Sequence, residues 1–198
     1  MRTLTVTGHG AAGVVPDAAT VRVAATHQAA AVAEALAGAD SATRAAVEVA
    51  RRHTDVARIG TTTVQLWPAI DHLGGRSGYE ARHALTIRLA DLGSAGELVT
   101  ELADVVGDRL VIEGISPTVS DPAPAGTRAR ERAFADALTR ATELASLAGA
   151  GLGEVQQVVE GREPGAYADV ASLKAGGFAL EAGETQVEAT LTVTWQLV

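Results

Sequence analysis

A glycine motif near the start of the chain constrains the fold more than any other feature. Gly8 to Gly13 spells G-x-G-x-x-G, the dinucleotide-binding fingerprint, and follows a segment with strand character at 3–7. In a dinucleotide-binding domain a helix begins at the third glycine, and its amides bind the pyrophosphate. Here apolar and polar residues alternate from Ala19 to Ala25, which predicts a second strand. The pattern therefore predicts strand, glycine turn and strand, and it favours a fold other than the Rossmann fold.

The rest of the chain predicts the element order β-β-α-β-β-α-β-α-β-β. Helical periodicity marks 28–53, 91–106 and 122–148, and alternation is clearest in 79–89 and 185–198. The predicted buried stripe of the last helix is Phe134, Leu138, Ala141, Ala145 and Ala148. Short turns between successive strands favour antiparallel pairing. We therefore predict an α+β fold, a single domain in which long helices cover one face of an antiparallel sheet.

Composition and charge exclude several classes of protein. The chain has no cysteine, so it forms no disulfide, thiolate metal site or thiol nucleophile. Its net charge of −8 argues against a nucleic acid partner. No apolar run approaches the ~18 residues of a transmembrane helix, so no transmembrane segment is predicted. The first residues lack the regions of a secretory signal. This predicts a cytoplasmic protein as the sequence is written, or a periplasmic or secreted one if a signal has been removed.

The histidines form no recognisable catalytic or metal-binding pattern. None is at metal-ligand spacing, and the chain lacks a nucleophile elbow and a Walker lysine. We therefore predict no metal, no cofactor and no catalytic residue, and a protein that is not an enzyme. The alternative is a small-molecule binding module or an enzyme, with a pocket beneath the 161–183 loop and polar groups from His72, Arg82 or His83. A nicotinamide-binding protein is a third hypothesis, which rests on the glycine motif alone.

The segment from 161 to 183 is long for a loop in a compact domain, and such loops are usually functional or disordered. It contains apolar and aromatic residues that disorder would leave in water. These residues are Tyr167, Leu173, Phe178 and Leu180. An ordered subunit interface is therefore favoured, with an internal hairpin or a lid as the alternative. This interpretation predicts a homo-oligomer.

Several short motifs occur in a fixed order along the chain. Two glycines after the first strand precede a Pro-Asp-x-Ala pattern, a tyrosine begins an alternating strand, and Ser-Asp precedes an alanine-rich helix. The motif positions are Gly8, Gly10, Pro16, Asp17, Tyr79, Ser120 and Asp121. Over essentially the whole chain, their order and spacing resemble the bacterial SIMPL domain family, also called DUF541. The resemblance implies an α+β fold with long helices on an antiparallel sheet, and in some members large ring- or channel-like homo-oligomers.

The resemblance also implies a function. Members include a periplasmic immunogenic protein and proteins linked to oxidative stress, so the expected function is non-enzymatic self-assembly with a role in envelope or oxidative-stress tolerance. The expected roles of the motif positions are structural. Gly8 and Gly10 would form a tight connection where side chains do not fit, and Pro16 and Asp17 would set the entry to the second strand. The chain departs from the family at His9, where an acidic or other polar residue is common, and in lacking the usual export signal.

Overall fold

The computed structural model describes residues 2–70, 74–161 and 183–198. Within them the order of strands and helices is the predicted one. The strands are β1 (Thr3–Val14), β2 (Ala18–Ala29), β3 (Ile59–Ile70), β4 (Arg76–Leu89), β5 (Leu110–Thr118), β6 (Leu152–Gly161) and β7 (Thr185–Leu197), and the helices are α1 (Val32–His53), α2 (Ser94–Val106) and α3 (Ala123–Leu147). All the strand pairs are antiparallel. The predicted α+β class is confirmed.

The strands form two sheets, and the described residues divide into two compact units. Unit 1 contains residues 2–15, 121–161 and 183–198, and unit 2 contains residues 16–70 and 74–120. Unit 1 is therefore discontinuous in sequence, with most of unit 2 inserted between β1 and α3.

Unit 2 has the β-α-β-β-α-β arrangement known as ferredoxin-like. Its four strands lie in the order β3-β4-β2-β5. Helices α1 and α2 pack on one face of this sheet, where alternate residues of the central strands are apolar. The core between these helices and the sheet includes Val21, Val23, Leu85, Ile87, Leu98 and Leu102. Because successive side chains of a strand point to opposite faces of the sheet, the other face carries residues such as Arg22 and Arg82.

Unit 1 is a three-stranded sheet in the order β1-β7-β6, with α3 packed across β1 and β7. The buried face of α3 is an alanine at every fourth residue. These alanines are Ala125, Ala129, Ala133, Ala137, Ala141 and Ala145. A Cβ added at Gly8 or Gly10 would lie less than 3.0 Å from backbone atoms of α3. Small residues on both surfaces therefore let the helix and strand backbones approach closely.

Two details of the sequence prediction are wrong. The glycine motif lies inside β1, because β7 pairs with every residue from Thr3 to Val14, and the turn follows at 15–17. Gly8 and Gly10 serve the close approach of α3 rather than a turn. The predicted stripe of α3 is correct at Ala141 and Ala145, which are buried, and wrong at Leu138, which is 41% exposed. A leucine facing β1 would hold the two backbones apart, so alanines occupy that face.

Candidate functional site

The outer edge of β1 is covered by side chains of α3. Three arginines of the helix donate to backbone carbonyls of the strand, and one carboxylate accepts a backbone N–H. The pairs, in order along β1, are Thr7 with Arg140 (2.9 Å), His9 with Asp136 (3.0 Å), Ala11 with Arg132, and Gly13 with Arg128 (3.4 Å). These bonds occupy main-chain groups that an edge strand otherwise offers to a partner strand.

The match between α3 and β1 follows from their two repeats. Four residues of helix advance by about 6 Å, and two residues of strand advance by about 6.8 Å. A helical residue at every fourth position therefore meets every second residue of the strand. The spacing of Arg128, Arg132, Asp136 and Arg140 is visible in the sequence. Its target is not, because nothing local indicates that α3 lies on β1.

The opposite edge of this sheet is β6, which has no such cover. Among the described residues β6 pairs only with β7, and all of its residues from Glu154 to Gly161 are exposed. Its valines are Val155 (43% exposed), Val158 (49%) and Val159 (47%). Pairing with β7 is irregular before Gln157 and regular from there to Gly161. The regular part of β6 therefore combines a free backbone edge with apolar side chains.

The two outer strands of unit 2 differ from β6. Strand β3 contains Pro68 and two irregularities in its pairing, and β5 contains Pro117 and one. Proline donates no backbone hydrogen bond, and bulges twist an edge away from a partner. The pairing of β6 is irregular as well, but only before Gln157. Among the edges that the structure describes, β6 is the one that contains no proline and whose backbone is bonded to no helix side chain.

Two motif positions that are far apart in sequence meet in unit 2. The carboxylate of Asp17 accepts hydrogen bonds from the backbone N–H of Ser120, at 2.7 Å, and from its hydroxyl. The Asp17 N–H donates to the carbonyl of Thr118 at 3.2 Å. Pro16 beside it is buried. The Pro-Asp and Ser-Asp motifs therefore join the start of β2 to the end of β5.

The bonds to Asp17 predict an acid-dependent stability. The Ser120 hydroxyl, and then its backbone N–H, lower the pKa of Asp17. A lowered pKa stabilises the folded protein above the ordinary aspartate value of about 4, and this contribution is lost as pH falls through the lower folded-state value. We expect the melting temperature of the wild type to fall more steeply below pH 4 than that of Asp17→Asn.

Melting curves at fixed salt between pH 2 and 7 measure this difference. Asp108→Asn is the matched control, because the Asp108 carboxylate has no hydrogen bond or ion pair in the described part of the chain. It should keep the wild-type slope. If the melting temperature falls equally with pH in all three proteins, the ionised Asp17 carboxylate is not the source of the acid dependence.

The remaining motif positions also make structural contacts. The Asp121 carboxylate accepts the N–H of Ala123 at 3.0 Å, where α3 begins one residue later than predicted. Tyr79 packs against the alanine cluster of α1 and β4, and the Arg76 guanidinium lies 4.3 Å from its ring centroid. His9 stands where an acidic or other polar residue is common in the resembled family. Its Nδ1 lies 3.3 Å from Thr190 Oγ1.

The predicted pocket residues do not converge. Arg82 and His83 are consecutive in β4, so their side chains project from opposite faces of the sheet. His83 Nε2 lies 3.0 Å from Thr61 Oγ1, and Arg82 pairs with Glu113. The loop from 162 to 182 and the residues predicted there lie outside the described residues, as does His72. Those loop residues are Tyr167, Leu173, Phe178 and Leu180.

Within the described ranges, no group of three histidines or carboxylates could hold a metal ion. In the same part of the chain, no helix is long and apolar enough to cross a membrane.

The fold and the motif contacts define a mixed α+β protein of two antiparallel sheets with helices packed on them. The chain belongs to the SIMPL family, described as proteins of unknown function (DUF541), whose sequence model matches residues 4–195. The match extends through both units, and it confirms the resemblance drawn from the motif order. No curated protein matches the chain.

Proposed function

We propose that this SIMPL protein is a non-enzymatic subunit that assembles with copies of itself, and that β6 is the edge that meets the next copy. The observation that carries the proposal is the contrast between the two edges of the unit 1 sheet. Side chains of α3 occupy the edge of β1, whereas the edge of β6 is exposed. An uncovered strand edge is a template for pairing with another chain.

The side chains of β6 suit such a contact. Val155 and Val158 lie on the α3 side of the sheet and Val159 on the other, so a strand added here would shield valines on both faces. Burying a half-exposed valine contributes about 1 kcal/mol. Glu160 of β6 pairs with Arg130 of α3 at 2.7 Å, so its negative charge is balanced within the subunit and repels an added strand less.

A role in envelope or oxidative-stress tolerance is part of the proposal through the family resemblance. The chain has no cysteine, so thiol oxidation and reduction are not available to it. We therefore expect any such role to depend on the assembled particle rather than on thiol chemistry of the chain.

A pair of matched variants tests the assembly edge. Val158→Lys places a charge on β6, the means by which natural edge strands avoid pairing. We expect it to weaken self-association at least about tenfold, which corresponds to roughly 1.4 kcal/mol. Val64→Lys is the control, because Val64 is a valine of similar exposure (54%) on the outer strand β3 of unit 2. Native mass spectrometry and light scattering over a range of concentrations report the assembly state.

The proposal predicts a wild-type oligomer that Val64→Lys keeps and Val158→Lys loses. A wild-type monomer at high concentration would overturn self-assembly. An oligomer that Val64→Lys disrupts and Val158→Lys preserves would place the contact on β3 and overturn the assignment to β6. Circular dichroism of each variant establishes that a loss of assembly is not a loss of folding.

A further inference from the structure

The open face of the unit 2 sheet, which lies opposite α1 and α2, carries arginines. The cross-strand register places Arg22 of β2 beside Thr86 of β4, and Arg82 of β4 beside Thr26 of β2. Alternation puts these four side chains on one face, since the residues between them belong to the core beneath the helices. Among the described residues of unit 2, no helix lies over the face that carries these two arginines.

Arg82 reaches across the sheet. Strand β2 separates β4 from β5, so the Arg82 side chain crosses β2 to pair with Glu113 of β5. Its Nε is buried and has no hydrogen-bond partner among the described residues. This buried nitrogen is closed to a ligand, so only the terminal nitrogens of Arg82 could contact one. Glu113 fixes the position of Arg82 through Nη2.

Arg22 points to the same place on β5. A Cβ added to Gly114 would lie 3.2 Å from Nη2 of Arg22, so the guanidinium sits directly over this glycine. Arg22 is exposed, and within the described chain its guanidinium has neither a hydrogen bond nor an ion pair. The two guanidinium groups therefore lie at neighbouring residues of β5, and the Glu113 carboxylate pairs with Arg82 and not with Arg22.

The surface beneath these groups is made of small residues. Ala24 and Ala84 are cross-strand neighbours on this face and are 0% and 4% exposed, and Gly114 follows on β5. The long arginine side chains therefore lie over small, buried residues, and their guanidinium groups are the hydrogen-bond donors of this surface. The fork of an arginine matches the oxygens of a carboxylate or phosphate group.

We propose that the guanidinium groups of Arg22 and Arg82 on this face bind the carboxylate or phosphate group of a small molecule. Arg22 is the principal donor, and Arg82, held by Glu113, is the second. The protein has a net charge of −8, so its overall field repels anions and the short-range hydrogen bonds must provide the affinity. The site lies within unit 2 and does not depend on assembly through β6.

Titrations of the full chain with inorganic phosphate and with acetate test the site, at constant ionic strength set with chloride. Melting temperature and calorimetry give the affinity. We expect at least one of the two anions to stabilise the wild type. Arg22→Gln should weaken its binding at least about tenfold, because it removes the charged fork. Gly114→Ala should also weaken it, because its Cβ contacts the guanidinium.

Arg58→Gln is the matched control, since Arg58 is another exposed arginine without an ion pair in the described chain. It should bind like the wild type. A response to phosphate but not acetate assigns a phosphate group to the ligand, and the reverse response assigns a carboxylate. No response to either anion, or equal binding by wild type and Arg22→Gln, would overturn the proposal.

Discussion

Replacing Gly10 with alanine is expected to lower the free energy of unfolding by about 3 kcal/mol or more, the upper range for overpacking a tight contact. The new Cβ would lie less than 3.0 Å from Ala129 O and Ala133 N, which are backbone atoms of α3. A flexible side chain could rotate away, but a helix backbone moves only as a unit. Moving α3 outward would also stretch the bond from Arg132 to Ala11.

Gly60→Ala is the control for this substitution. Gly60 is also a strand glycine, in β3, but no heavy atom lies within 4 Å of a Cβ added there. Its change should stay within about 0.5 kcal/mol. Urea unfolding followed by circular dichroism gives both values. If the two variants lose the same stability, the close approach of α3 is not the reason for glycine in β1.

Gly10 also marks the limit of what the sequence could predict about the fold. The order of strands and helices was predictable, because hydrophobic periodicity is a local property of the chain. The role of Gly10 was not, because its neighbour Ala129 is far away in sequence and only the folded structure brings them together. The same contact explains Leu138, since hydrophobicity alone assigns leucine to the buried stripe and the short helix-to-strand distance excludes it.

For the candidate sites too, the sequence identified some of the residues but not the contacts between them. Asp17 and Ser120 were identifiable as motif positions from their order, but their mutual hydrogen bonds were not. The free edge of β6 depends on the strand order β1-β7-β6, which no local pattern encodes. Arg82 was a candidate ligand from the sequence, and its convergence with Arg22 required the register between β2, β4 and β5.

Trp195→Ala is expected to cost about 3–5 kcal/mol, the usual loss when a buried aromatic residue is truncated. Trp195 is 2% exposed and is the largest fully buried side chain of the described residues. It lies in β7 beneath α3, and its ring centroid is 6.3 Å from that of Phe134. The alanines of α3 fill little volume, so neighbouring side chains cannot close the cavity.

The chain has two tryptophans, and the second provides the comparison. Trp67 is half-buried in β3 of unit 2, where its indole N–H donates to Glu80 at 3.2 Å. Trp67→Ala should therefore cost clearly less than Trp195→Ala, about 1–2 kcal/mol. Trp67→Phe leaves Trp195 as the fluorescent reporter of unit 1, and Trp195→Phe leaves Trp67 as that of unit 2. Urea unfolding of these proteins, followed by fluorescence and circular dichroism, measures both losses. A smaller loss for Trp195→Ala than for Trp67→Ala would show that the core between α3 and β7 is not the main source of stability in unit 1.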